Sequence, residues 1–340
     1  MNASRLVTGP LVALAILAGC GGSQTGVTPQ AAMTQPSAPT TATHGKSWML
    51  PEASSEDLIY VSSPDYHPPS STSSVYVFSY PNGTMVGTLT GFQYVGGLCS
   101  DSNGDVWITN GNDYDRGGSI YEYAHGATSP KVTLQDTHAP LDCTWEPSSG
   151  NLVAVSAVDS VAIYPEASGE PTYYSTVGFV EEVRYITYDG SGNLYFASDK
   201  CKPGWLPERT LNVAKFYIAP RGHHGGFQWD GKHLTVLLDT TIQQYLPKGG
   251  HSGKPVGSVK LNDISFYCEC YDSIEGSLAA VADGHSEVHV YDYPQGGDPT
   301  LTISVRNPLG VAISDGPSRR ENSETRSARN NPLRVNPLGC

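Results

Sequence analysis

The residues with the widest chemical scope are His138, Asp142, Glu181, Glu182, His223, His224 and Asp263, with Asn307. Each stands at or just ahead of a short run of strand character. Carboxylates and imidazoles gathered around one axis offer oxygen and nitrogen ligands to a divalent ion, so a metal such as Ca or Zn is one chemistry this set allows. A solvated polar rim is the plainer one. The chain holds no Gly-x-Ser-x-Gly elbow, no His-Glu-x-x-His pair and no P-loop. The expectation is therefore no cofactor, with a divalent metal as the alternative. His223-His-Gly-Gly226 is the densest imidazole cluster. Adjacent side chains on a strand face opposite ways, so it reads as a surface turn.

Two acidic stretches, Asp101-Ser-Asn-Gly-Asp105 and Asp189-Gly-Ser-Gly-Asn193, have the look of calcium loops. They lack the ligand count and distal Glu of an EF-hand. Hairpin turns account for both.

Residues so far apart in sequence need a scaffold to bring them round an axis, and a repeat supplies it. One mark is an aromatic-rich run closed in most units by proline: Val77-Phe-Ser-Tyr-Pro81, Ile120-Tyr-Glu-Tyr-Ala124, Val161-Ala-Ile-Tyr-Pro165, Gly204-Trp-Leu-Pro207, Gln243-Gln-Tyr-Leu-Pro247 and Val290-Tyr-Asp-Tyr-Pro294. The marks are 43, 41, 42, 40 and 47 residues apart. A second mark precedes each of them: Leu58–Val61, Asp105–Ile108, Asn151–Val155, Asn193–Phe196, His233–Val236 and Ser277–Val281. Glycine stands ahead of five of these runs, as a tight hairpin requires. A four-strand unit recurring about every 42 residues is the signature of a β-propeller blade.

The first unit lacks its own first strand, and Pro308-Leu-Gly-Val-Ala-Ile-Ser-Asp-Gly316 has the form of one. The expected fold is all-β: a six-bladed propeller of four-stranded antiparallel blades over 51–316. The strand at 308–316 completes the first blade and leaves no exposed edge. In that frame the chemical residues named above rim the channel mouth. Three long loops, 62–74, 110–118 and 199–204, share one face. Cys99 and Cys143 fall on innermost strands of neighbouring blades. Buried free thiols are their expected state, with a mutual disulfide as the alternative. Cys268 and Cys270 are too close in register to bridge each other, and no Cys-x-x-Cys zinc spacing occurs.

Composition agrees. Charged residues are 16% of the 340, with 37 Gly and 25 Pro. The net charge of −13 disfavours nucleic acid as a partner. A single monomeric ring is expected.

Met1 to Cys20 has Arg5 near its start and an apolar run, Leu11-Val-Ala-Leu-Ala-Ile-Leu17. Its layout fits an export signal. Leu17-Ala-Gly-Cys20 resembles the bacterial lipobox. That resemblance implies lipidation of Cys20, anchoring to a membrane, and a place in the bacterial cell envelope on the periplasmic or cell-surface side. Gly21 follows, so the Asp-type inner-membrane retention signal is lacking. Residues 21–50 are rich in Gly, Ser, Thr, Gln, Pro and Ala and read as a flexible tether. Residues 317–340 carry five Arg against two Glu and read as a disordered polar tail.

The repeats resemble NHL and YVTN-type propeller repeats of exported bacterial proteins, through Gly97-Leu98, Asp101-Ser-Asn-Gly-Asp-Val-Trp-Ile-Thr-Asn110, Tyr188–Phe196 and Pro308–Ala312. Blade five departs, with Gln228-Trp-Asp-Gly-Lys232 at its turn. The resemblance implies the fold and leaves function open. The expected function is a non-enzymatic binding module, its ligand an unknown protein, glycan or small molecule. The alternative is a metal-dependent hydrolase, to whose six-bladed lactonase examples the channel-mouth residues are loosely similar.

Overall fold

Short runs of β-branched and aromatic residues, punctuated by Gly, Asp and Asn turns, leave this chain little choice but strands. The computed structural model describes residues 46–64, 73–111, 117–177, 183–198, 204–206, 214–215, 224–247, 255–264 and 271–321. All lie within one compact unit, Pro36–Cys340.

Five sheets have four antiparallel strands in chain order. The first sheet along the chain is different and takes β1 (Trp48–Met49), β2 (Asp57–Ser63), β3 (Ser73–Tyr80) and β4 (Met85–Phe92). The second is β5 (Tyr94–Ser100), β6 (Val106–Gly111), β7 (Gly118–Tyr123) and β8 (Val132–Asp136). The third is β9 (Pro140–Glu146), β10 (Asn151–Ser156), β11 (Ser160–Tyr164) and β12 (Thr172–Ser175). The fourth is β13 (Val183–Tyr188), β14 (Leu194–Ser198), β15 (Gly204–Leu206) and β16 (Ala214–Lys215). The fifth is β17 (His224–Trp229), β18 (Leu234–Leu238), β19 (Thr241–Tyr245) and β20 (Pro255–Lys260). The sixth is β21 (Asp272–Glu275), β22 (Leu278–Ala282), β23 (Glu287–Asp292) and β24 (Leu301–Ser304).

The last strand, β25 (Val311–Ser314), returns to the first sheet. Its order is β1-β4-β3-β2-β25, five strands instead of the four expected. β25 lies antiparallel to β2, with Tyr60 opposite Ala312 and Val61 opposite Val311. Ser62 ties the same junction, its hydroxyl accepting from the Gly310 N–H at 2.8 Å. The extra strand is β1, which pairs Trp48 with Thr88 and Met49 with Gly87. These two residues were read as tether. They join the sheet because Gly87 has no Cβ to collide with the Met49 sulfur, and they cover an outer edge that would otherwise stand open.

The core is a series of apolar layers, each shared by two sheets. Leu58, Tyr60 and Val77 meet Val95, Val106 and Ile108. Val153 and Val161 meet Ile186 and Phe196. Ile59, Phe78 and Val311 meet Leu278, Ala280 and Val290. No sheet hides both faces by itself. The innermost strands also touch in sequence: β5 packs on β25 and β9, β13 on β9 and β17, β21 on β17 and β25.

The tail does not begin as disordered chain. Residues 317–321 form a helical turn. Arg319 fixes it, with Nη1 3.3 Å from Asp57 Oδ2 and Nε 3.4 Å from Asp315 Oδ1. Asp315, just past the last strand, and Asp57, at the start of the paired strand β2, attract the first arginine beyond it. No helix among the described residues is long and apolar enough to cross a membrane.

Candidate functional site

Two inner strands carry adjacent glycines, Gly96-Gly97 on β5 and Gly225-Gly226 on β17. Glycine inside a strand marks a bulge or a close approach, and here it marks both. The β5 register shifts between Val95 and Leu98, the β17 register between His224 and Phe227. A Cβ on Gly97 would collide with Asp142 Oδ1, and one on Gly226 would collide, more deeply, with Asp272 Oδ1. Each glycine therefore seats an aspartate from the next inner strand.

Both aspartates are buried. Burial holds the Asp142 carboxyl well above the usual carboxylate range, and the Asp272 charge adds to this. The Cys143 and Ile186 N–H groups, which it accepts, pull the other way. Asp272 is only 2% exposed. Its own N–H and the Gln228 amide reach towards the carboxyl and pull against the effect of burial, but among the described residues neither oxygen accepts a well-formed hydrogen bond. Gln228 makes its good bond, at 2.8 Å, to the Asp272 main-chain oxygen. Burial pushes this carboxyl up to about 7.

Beyond the aspartates, towards the ends of the inner strands, lies a cavity of about 470 Å³. Residues from β5, β9, β13, β17, β21 and β25 all line it. Trp145, Tyr188 and Trp229 supply aromatic surface, Gln228 an amide, Asp189 and Glu275 carboxylates. Arg320 of the helical turn reaches the same mouth, donating to the Asp315 carbonyl. Cys99 and Cys143 also line it, and they are joined in a disulfide with Cα atoms 5.7 Å apart. The free-thiol expectation fails here because β5 and β9 lie side by side with both residues at one level, within ordinary bridging reach.

The residues singled out from sequence go to different places. His138 contacts the Ser160 hydroxyl through Nδ1 at 2.8 Å and lies against the Tyr173 ring at 4.4 Å. The chain enters β9 from the outer strand β8, so a side chain at that point meets the outer strands β11 and β12. Among those the structure describes, Asp142 alone sits on an inner strand with its carboxyl buried. Asp263 is exposed on a turn, and the Asn307 N–H donates to the His285 carbonyl at 3.1 Å. His224 opens β17. Glu181, Glu182 and His223 lie outside the described residues, as do most of the three long loops. The cavity is at the far ends of β9 and β25 from His138 and Asn307.

The calcium-like stretches are turns. Asp101 Oδ1 accepts from the Asn103 and Asp105 N–H groups at 2.8 and 3.0 Å. Asp189 Oδ1 accepts from Ser191 and Asn193 at 2.8 and 2.9 Å. Lys131 Nζ lies 2.8 Å from both Asp105 and Glu122, so an ammonium already occupies that acidic cluster.

No protein-family model matches the chain, and no curated protein sequence matches it. Solved structures do. A chain in the crystal structure of a nidogen/laminin complex is 13% identical, with a TM-score of 0.59 over 76% of this chain and 98% of that one. A protein of unknown function from Bacteroides caccae is 10% identical, with a TM-score of 0.54 over 76% and 99%. The fold is a β-propeller. A third neighbour, a functionally unknown protein from Desulfotomaculum acetoxidans, has a TM-score of 0.52 at 11% identity over 76% and 89%. At these identities the likeness concerns fold alone.

Proposed function

We propose that this propeller is an exported, lipid-anchored binding module, and that its blades number six, with β25 closing the ring. The mutual packing of β5, β9, β13, β17, β21 and β25 supports the closure. Leu17-Ala-Gly-Cys20 supports the anchor. The observation that carries the binding role is the cavity at the ends of the inner strands. Aromatic faces stack on the apolar faces of a sugar ring, while carboxylates and an amide take its hydroxyls. Trp145, Tyr188 and Trp229 beside Gln228, Asp189 and Glu275 offer that mixture. A small polyhydroxylated ligand such as a glycan unit fits best.

Full-length protein purified from membranes should bind members of a glycan panel in calorimetry. Trp229→Ala should weaken that binding about 10-fold, the worth of one aromatic stacking contact. Cys20→Ser should move the protein from the membrane to the soluble fraction. Absence of binding across the panel would remove the glycan reading, and an unchanged membrane fraction would remove the anchor.

The buried pair Asp142 and Asp272 favours a second reading, a metal-dependent hydrolase similar to six-bladed lactonases. The fit is poor. Among the described residues no third His, Cys, Asp or Glu joins the pair within ligand distance, and a catalytic ion ordinarily takes at least three protein ligands. Lactone turnover abolished by Asp272→Asn would reverse the order of the two readings.

A further inference from the structure

The hairpin joining β22 to β23 carries Asp283-Gly-His-Ser-Glu287-Val-His289. Glu287 and His289 are two apart on a strand and so project to one face. The Asp283 N–H donates to the Glu287 carbonyl at 2.9 Å, folding the aspartate over that face. Asp283 Oδ1 accepts three main-chain N–H groups, from His285, Ser286 and Glu287 at 2.8, 2.9 and 2.9 Å. These fix the carboxylate through Oδ1. Asp283 and His289 are both more than nine-tenths buried, at 6% and 3% exposure.

Distances separate this cluster from an ordinary ion pair. His289 Nε2 lies 3.5 Å from Glu287 Oε2. That is slack for a hydrogen bond, which prefers about 2.7–3.2 Å. It is close to the roughly 3.4 Å between two ligands on one tetrahedral ion with bonds of about 2.1 Å. One ligand atom from each of Asp283, Glu287 and His289 lies within 4.8 Å of the others. On the far side of the imidazole, Nδ1 is 3.4 Å from the Thr302 hydroxyl on β24. The other acidic cluster of this size, Asp101, Asp105 and Glu122, contains Lys131 and offers an ion no such seat.

We propose that Asp283, Glu287 and His289 bind a single divalent transition-metal ion of the Zn²⁺ class. One nitrogen and two carboxylate oxygens suit such an ion better than Ca²⁺ or Mg²⁺, which take oxygen ligands in larger number. The fourth position is left to water. The site is at the opposite end of the blade from the cavity, because Asp283 follows the end of β22 that pairs with the start of β21. It stands or falls independently of the glycan reading.

Titration of chelator-treated full-length protein with ZnCl₂ and CaCl₂ tests this. One equivalent of Zn²⁺ should bind and raise Tm, and Ca²⁺ should not compete. His289→Gln and Asp283→Asn should each weaken Zn²⁺ binding on the order of 100-fold, at least the cost of losing an outer-shell partner. Cobalt should give a visible d–d spectrum in wild type that both variants lose. Should a variant fold poorly, Glu287→Gln provides the same readouts from an exposed position. The proposal is overturned if wild type takes up no stoichiometric Zn²⁺, or if uptake and the cobalt spectrum survive in folded variants.

Discussion

Asp142 and Asp272 each press against a double glycine on the preceding inner strand, yet their surroundings differ. Asp142 accepts two main-chain N–H groups, one of them from Ile186 on the neighbouring strand β13. Asp272 is reached by its own N–H and the Gln228 amide, and among the described residues neither makes a well-formed hydrogen bond to its carboxylate. The strands around Asp142 are further pinned by the Cys99–Cys143 disulfide. A propeller repeats its backbone from blade to blade, but it does not repeat the solvation that backbone offers. An inner-strand carboxylate is sheltered where a neighbouring N–H points at it and left without compensation where none does. The cost of a buried polar group depends on its partners far more than on its depth.

Removing the covalent pin on the sheltered side should have the largest effect. The bridge closes a separation of 44 residues, for which chain entropy gives about 4 kcal/mol. Reduction, or Cys99→Ser with Cys143→Ser, should lower urea stability by that order and bring the two sides closer to parity. A bridge whose loss left the midpoint unchanged would show that β5 and β9 hold together without it. Next come the glycine seats. Gly226→Ala should destabilise by about 3 kcal/mol, the upper part of the overpacking range, and Gly97→Ala by less. Asp272→Ala in the Gly226→Ala background should recover part of the loss. Equal effects at the two glycines, or no recovery, would break the comparison.

The smallest effect has the opposite sign. In the unfolded chain Asp272 ionises near its ordinary 3.8, and in the folded protein near 7. The folded state holds this proton longer. Its contribution to stability is therefore full below about pH 4, falls as pH rises towards 7, and levels off above. Asp272→Asn should flatten that fall and stabilise the protein at pH 8 by about 2 kcal/mol. The gain is less than the whole shift because a buried amide also lacks partners. Melting curves of the two proteins between pH 4 and 8 test this, and a variant that is less stable than wild type at pH 8 would contradict it.

Much of the architecture could be read from residues that serve one strand at a time. The runs around Tyr60, Trp107, Val153, Tyr195, Thr235 and Ala279 fall on second strands, and the proline-closed runs fall on third strands. Turn glycines such as Gly104 and Gly192, both with φ above 70°, mark the hairpins. What escaped depends on two blades together. The Cys99–Cys143 pairing is a matter of lateral distance between inner strands, which spacing along the chain does not encode. Asp272 does not stand out in the sequence because Cys268-Glu-Cys270 just upstream already alternates like a strand. A signal existed: Gly97 precedes Asp142 by 45 residues and Gly226 precedes Asp272 by 46, about one blade in each case. Asp283, Glu287 and His289 match no common zinc-ligand spacing such as Cys-x-x-Cys or His-Glu-x-x-His, so the cluster carries no signature along the chain.

The pairing of β2 with β25 also sets an order of events. Ile59 and Tyr60 find their partners, Ile313 and Ala312, some 250 positions later in the chain. A chain that emerges amino end first must carry an unsatisfied strand edge through nearly all of its synthesis. Only the last few strand residues fasten it, so a premature stop before Val311 would release a protein with an open, adhesive flank in place of a finished one.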